Sequence, residues 1–222
     1  MIEPGIIEGM VEYVSEAVLA IHRDLFDYAL AQHAREWKPL PLTPAGERRV
    51  GVLRLGMLGV AVLKRRRLFG FDCAGWSRSA HTLDGVRCYE GADEFDAFLA
   101  RTDVLVCLLP LTDATRGMLS RRVFDALPAG ASLVHVGRGP QLVAGDLLDA
   151  LARGHVPNAV LDVTDPEPLP PEHPLSQPRV RITPHIASAT RPDTAVDSLL
   201  DNLRRLRAGE PMIGLIDREL GY

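Results

Sequence analysis

Apolar residues in the N-terminal stretch recur every three or four positions. Ile7, Met10, Val11, Val14, Val18, Ile21, Leu25 and Tyr28 form one stripe, the pattern of an amphipathic helix. The spacing predicts a helix from Ile6 to about Trp37, stopped by Lys38–Pro44, where three prolines forbid its continuation. With no strand ahead of it, that stripe needs a surface to lie on, either the chain's own sheet or a partner subunit. From Arg49 the pattern changes to short apolar runs separated by helical segments. Val50–Leu55, Phe71–Trp76, Val104–Leu109, Ser132–Val136, Ala159–Val163 and Val180–Ile182 read as strands. Met57–Phe69, Ala92–Ala100 and Val143–Arg153 read as helices, with a further short helix ahead of Ser132. Strands apolar on both faces and alternating with helices predict an α/β fold, a doubly wound parallel sheet of the Rossmann type. Ligands of such sheets sit beyond the carboxyl ends of the strands.

A last helix is predicted from Thr190 to about Arg207. Thr190 and Asp193 are spaced like a capping box, Pro192 lies in the first turn and Gly209 closes the helix. The chain thus divides into a connecting helix and proline-rich linker (1–45), a dinucleotide-binding domain (46–189), and a terminal helix and tail (190–222). Six prolines between Pro166 and Pro178 mark a stiff surface loop.

Composition narrows the class without naming a function. The chain has 222 residues, 46% of them apolar, and a net charge of −4, which gives no basic field for nucleic acid. No apolar run reaches the roughly 20 residues a membrane helix needs, and the N-terminus lacks a signal-peptide layout. Cys73, Cys88 and Cys107 are odd in number and widely spaced, which predicts neither a disulfide frame nor a metal site. They read as small core residues of a cytoplasmic protein.

The chemistry gathers at the predicted strand ends. Val50–Leu55 leads into Arg54-Leu55-Gly56-Met57-Leu58-Gly59, a G-x-G-x-x-G phosphate loop with arginine at its first glycine. Gly56 would let the backbone approach a pyrophosphate, and Gly59 would let the helix pack on the strand. Two glycines also serve any tight strand-to-helix turn, so this segment alone decides nothing. The next strand ends in Trp76-Ser77-Arg78-Ser79, with no carboxylate for a ribose diol until Asp84. A guanidinium and two hydroxyls suit a 2′-phosphate and favour NADPH over NADH, although a solvated polar turn accounts for Arg78 equally well. Leu109-Pro110-Leu111-Thr112, Val136-Gly137-Arg138-Gly139, Asp162 with Glu167, and Thr183-Pro184-His185-Ile186-Ala187-Ser188 follow the remaining strands.

These segments resemble the NAD-binding domain of the D-isomer-specific 2-hydroxyacid dehydrogenases over almost the whole chain. Val136–Gly139, Asp162 with Glu167-Pro168, and Thr183-Pro184-His185 carry the resemblance. Within the family, the glyoxylate/hydroxypyruvate reductase A group is the most similar. Glu12-Tyr13-Val14, Gly75–Ser79, Cys107–Thr112, Asp162–Pro168 and the Gly221-Tyr222 end carry that closer resemblance. The resemblance implies hydride transfer between a nicotinamide cofactor and a small 2-oxo acid. His185 would be the general acid, Glu167 its charge partner, and Arg138 the binder of the substrate carboxylate. Asp162 and Ser188 would serve the nicotinamide end, and Pro110, Thr112, Val136 and Gly137 would line the groove beside Leu109. A homodimer is implied as well.

The sequence also departs from the family. The resemblance implies a substrate domain of roughly a hundred residues ahead of Met1, a typical size for a small domain, which this sequence does not contain. Arg54 replaces a glycine and is expected to hinder the pyrophosphate. His135 stands where the family usually has asparagine, and Lys64-Arg65-Arg66-Arg67 places four cations on a helix that is usually apolar. A truncated copy is one reading of these departures. A dinucleotide-binding module without turnover and an inactive remnant are the other two.

Overall fold

The computed structural model describes residues 3–67 and 69–215, so the Gly221-Tyr222 end lies outside the described residues. Its strands are β1 (Arg49–Leu53), β2 (Asp72–Ser77), β3 (Arg87–Glu90), β4 (Val104–Cys107), β5 (Ser132–His135), β6 (Ala159–Leu161) and β7 (Val180–Ile182). They form one sheet in the order β3-β2-β1-β4-β5-β6-β7, with every neighbouring pair parallel. This is the doubly wound architecture that the apolar runs predict.

Alternation within the strands divides the core in two. Val50, Val52, Val104, Val106, Val134 and Val160 face α1 (Pro4–His22) and α3 (Met57–Arg67). Leu53, Leu105, Cys107, Leu133 and Leu161 face the other way, toward α4 (Phe95–Ala100), α5 (Arg121–Ala126) and α6 (Ala144–Ala152). A sheet covered on both faces has no polar side to alternate with, hence the continuous apolar runs. Each buried valine or leucine contributes roughly 1.5–3 kcal/mol.

The N-terminal stripe lies on the chain's own sheet. Met10, Val14, Ala17, Val18 and Ile21 are buried there. The long helix is nevertheless two helices. It breaks at Asp24, which adopts a left-handed backbone (φ 54°), and resumes as α2 (Leu25–His33). Tertiary packing holds α1, whereas Leu25 is half exposed and Trp37, where the helix was expected to end, is fully exposed. Glu3 caps α1 by accepting from the amides of Gly5 (2.6 Å) and Ile6 (3.0 Å). The same carboxylate accepts from Thr194 and from the Arg191 amide, tying α1 to α7 (Pro192–Ala208).

Three further expectations are corrected. β3 was not expected. It is a four-residue edge strand with exposed Arg87 and Glu90, too short and polar to show an apolar run. β1, β4, β5 and β6 end one or two residues early because the chain turns into the site loops. The Thr190–Asp193 capping box does not form. Arg191 is the N-cap and makes no side-chain cap bond, while Asp193 pairs with the Arg191 guanidinium at 2.8 Å. Gly209 closes α7 with φ 70°, as expected. Among the described residues no helix is long and apolar enough to cross a membrane.

Candidate active site

Register aligns the site. Leu53, Cys107, His135, Leu161 and Ile182, the last residues of β1, β4, β5, β6 and β7, are paired across the sheet. The segments that follow therefore leave from one edge, beside one another, although they are far apart in sequence.

At the β1 and β2 ends lies a groove of about 860 Å³. Of the expected cofactor residues it is lined by Gly56, Ser77, Arg78, Ser79, Leu109, Pro110 and Thr112. Met57, Leu58, Gly59, Val136, Gly137, Asp162 and Ser188 do not line it. Gly59 has a packing role, since a Cβ there would overlap the Arg54 carbonyl oxygen. Arg54 takes the positive φ (90°) that a glycine tolerates, and its Nε lies 3.0 Å from where a side chain on Gly56 would begin. Burial, and then the Arg78 charge, push the Arg54 guanidinium below its ordinary range. On the helix that follows, Lys64 and Arg65 are exposed and Arg67 pairs with Asp84 at 2.7 Å.

Arg78 and Ser79 are exposed at the groove's far end, whereas the Ser77 hydroxyl is buried and donates to the Ser79 carbonyl at 2.5 Å. His81, which the sequence reading missed, lines this end and holds the Ser77 hydroxyl at 3.0 Å through Nδ1. A histidine four residues beyond a strand carries no local signal.

The other end of the edge carries a Glu–His pair. Glu167, on the proline-rich loop after β6, accepts from His185 Nδ1 at 2.8 Å, both side chains being less than half exposed. With Nδ1 occupied, Nε2 is the ring nitrogen left to act on a ligand. His185 has a left-handed backbone (φ 56°), fixed by its amide donating to the carbonyls of Asp162 (2.9 Å) and Thr183 (3.0 Å).

Asp162 supplies the rest of that support. It is buried and accepts from Thr183 Oγ1 (2.6 Å), the Ile186 amide (2.8 Å) and the Ala187 amide (2.9 Å). The Thr183 hydroxyl in turn accepts from Tyr13 at 2.5 Å, which links α1 to the loop, and burial pushes the Tyr13 phenol up. Asp162 thus holds the His185 loop. Ser188 is likewise engaged within the chain, donating to the Ile6 carbonyl at 2.7 Å.

Between these ends sits the turn after β5. Val136 and Gly137 are buried, and the Arg138 side chain is exposed with NH1 donating to the Gly137 carbonyl at 2.7 Å. The remaining guanidinium donors form a planar fork suited to a carboxylate. A Cβ on Gly139 would overlap the Thr164 carbonyl, so the arginine turn packs directly on the chain leading to Glu167. His135 donates from Nε2 to the Arg138 carbonyl (3.0 Å), its Nδ1 has no partner among the described residues, and burial pushes its pKa down to about 4. Missing from the sequence reading is Gln141, a buried amide between this turn and Leu109-Pro110.

A dinucleotide-sized groove at one end of a strand edge, a Glu–His pair at the other and an exposed arginine between them define the class: the nucleotide-binding domain of an oxidoreductase. The sequence profile described as D-isomer specific 2-hydroxyacid dehydrogenase, NAD binding domain, matches residues 16–187. This chain belongs to that family. It is similar to a glyoxylate/hydroxypyruvate reductase A of Serratia proteamaculans (strain 568), with 41% identity over 221 residues, covering 99% of this chain and 71% of the relative. A D-isomer specific 2-hydroxyacid dehydrogenase from Xanthobacter autotrophicus Py2, solved with NADPH and MES, superposes with a TM-score of 0.95 at 40% identity, over 99% of this chain and 91% of that one. The NADPH-dependent glyoxylate/hydroxypyruvate reductase of Sinorhizobium meliloti, solved with NADP and sulfate, gives a TM-score of 0.95 at 33% identity, over 100% and 72% of the two chains.

Proposed function

We propose that this chain carries out, or supplies the cofactor half of, NADPH-dependent reduction of a small 2-oxo acid, glyoxylate or hydroxypyruvate. The observation that carries the reading is the 2.8 Å Glu167–His185 pair on the same strand edge as the Arg138 turn and the groove. NADPH, when bound, would supply the hydride to the carbonyl carbon. Arg138 would hold the carboxylate and draw electron density from the adjacent carbonyl. His185 would deliver its proton to the carbonyl oxygen, so that hydride and proton together convert C=O to an alcohol. Glu167 would stabilise the imidazolium before transfer. Arg78 and Ser79 would meet the 2′-phosphate, and Gly56 the pyrophosphate once the Arg54 side chain swings aside. The groove's volume and its lack of a lining carboxylate support that fit. Loss of NADPH absorbance with glyoxylate, abolished in His185→Ala, tests the reading. No turnover at saturating NADPH and glyoxylate would leave the cofactor half alone, and no NADPH binding would reject both.

A second reading is favoured by Arg54 lying over Gly56. In it the chain binds a dinucleotide weakly and turns nothing over. Fluorescence titration with NADPH and with NADH separates binding from none at all. We further propose a cytoplasmic homodimer formed through α1 and α3, where Glu8, Glu12 and Glu16 face Lys64 and Arg65 across a groove. Light scattering at the monomer mass would reject the dimer.

A further inference from the structure

Gln141 makes no use of solvent and belongs to no helix or strand ladder that would explain its side chain. It is fully buried in the single 3₁₀ turn Gly139–Gln141, and every polar atom of its amide is engaged with backbone. Its Oε1 accepts the Arg138 amide at 2.8 Å. Its Nε2 donates to the carbonyls of Leu109 at 3.1 Å and Pro110 at 2.9 Å, across 32 and 31 residues of sequence. The first contact fixes the backbone of the arginine turn. The other two fix a wall of the cofactor groove, which Leu109 and Pro110 line. Gly137 fits the same design, because a Cβ there would overlap Gln141 Oε1 and displace the amide. On the other side of the turn, His135 Nε2 holds the Arg138 carbonyl at 3.0 Å. Both backbone polar groups of Arg138 are therefore held by buried side chains, while its guanidinium alone reaches out.

We propose that Gln141 is a positioning residue that sets the Arg138 turn and couples it mechanically to the Leu109-Pro110 wall of the cofactor groove. The proposal deepens the reading above and rests on it for the role of Arg138. An amide suits this task because it accepts at one end and donates twice at the other. An apolar residue of equal size would leave the Arg138 N–H and the Leu109 carbonyl unsatisfied, at roughly 1–3 kcal/mol for each orphaned group, while the Pro110 carbonyl keeps the Thr115 hydroxyl at 2.6 Å. A bond that exists only between two site loops adds nothing to the sheet, so its loss should register locally, at those loops.

The test uses the full chain and begins without ligand, so its readout does not depend on activity. Amide hydrogen exchange by NMR in Gln141→Met should show the Arg138 amide exchanging at least about tenfold faster than in the unaltered protein. Val134, inside β5, should stay within about twofold. Equal protection of Arg138 in both proteins overturns the proposal. So does an equal acceleration at Val134, which would mark general loosening. Gln141→Glu keeps an acceptor for the Arg138 amide and, read at alkaline pH where the buried carboxyl is driven to its ionised form, offers no donor to the two carbonyls. It should retain Arg138 protection to within about threefold yet weaken NADPH binding at least about fivefold. A Gln141→Glu protein as loose at Arg138 as the Met variant also overturns the proposal. Failure of the unaltered protein to reduce glyoxylate would remove the functional reading, and the exchange result would still decide the role of Gln141.

Discussion

Glu167 and His185 stand 18 residues apart on loops that follow adjacent strands, and their side chains meet at 2.8 Å. The contact joins Oε1 to Nδ1, so the carboxylate leaves Nε2 as the ring nitrogen free to meet a ligand. In Glu167→Gln the amide holds the ring without supplying charge. With NADPH and glyoxylate, kcat should fall at least about tenfold, within the range general acid catalysis contributes, while NADPH affinity stays unchanged. Steady-state kinetics beside a fluorescence titration checks both. An unchanged kcat would remove Glu167 from the site.

Arg54 imposes two separable burdens. Its backbone occupies φ 90°, where a side chain costs about 1 kcal/mol relative to glycine, and its side chain covers Gly56. Arg54→Gly should therefore raise the unfolding free energy by about 1 kcal/mol and tighten NADPH about tenfold. Urea unfolding and titration read these independently. Tighter folding with unchanged NADPH affinity would mean that the guanidinium swings away without cost.

The fold was legible because a sheet covered on both faces writes itself as apolar runs. Val104–Cys107 needs no partner to be recognised. β3 was hidden because an edge strand carrying Arg87 and Glu90 buries only one row. The break at Asp24 was hidden because the stripe keeps its period through a single left-handed residue. At the site, Arg138, Glu167 and His185 were legible as charged residues at strand ends. Asp162 and Ser188 were placed correctly on their loops, but their partners are amides, hydroxyls and a carbonyl within the chain, and spacing cannot specify such partners. Gln141 and His81 gave no signal, since their importance lies in backbone atoms distant in sequence.

The three cysteines separate by burial, although all read alike in the sequence. Cys73 and Cys107 are buried, and desolvation pushes the Cys107 thiol up to about 12, while Cys88 is half-buried on the edge strand. A thiol that stays protonated and unreachable is inert. Near pH 8 a thiol-specific reagent should modify Cys88 within minutes, with Cys73 and Cys107 reacting only in denaturant. Peptide mapping by mass spectrometry reads the positions directly. Modification of Cys107 in the native protein would show that the sheet beside the groove opens.

Within the Arg138 turn, His135 makes folding sensitive to acid. Burial lowers its pKa from 6.5 to about 4, and its bond to the Arg138 carbonyl opposes that shift only in part. A base with a depressed folded-state pKa takes up its proton in the unfolded chain first. Its neutral form therefore supports the fold fully above pH 6.5, and that contribution is lost as the pH falls toward 4. The full loss is about 3 kcal/mol, at 1.36 kcal/mol per pKa unit. Native carboxylates also titrate in this range, and they do so equally in a variant that keeps them. His135→Asn removes only the imidazole, so the comparison is the difference between the two proteins' urea stabilities at pH 7 and at pH 4.5. The unaltered chain should lose about 2.5 kcal/mol more than the variant over that interval, which stops short of the full loss. Whatever Asn costs in packing shifts its curve by the same amount at every pH and leaves the slope intact. Parallel curves would show that His135 takes up its proton as readily in the folded chain as in the unfolded one, so that burial does not hold the ring neutral in acid.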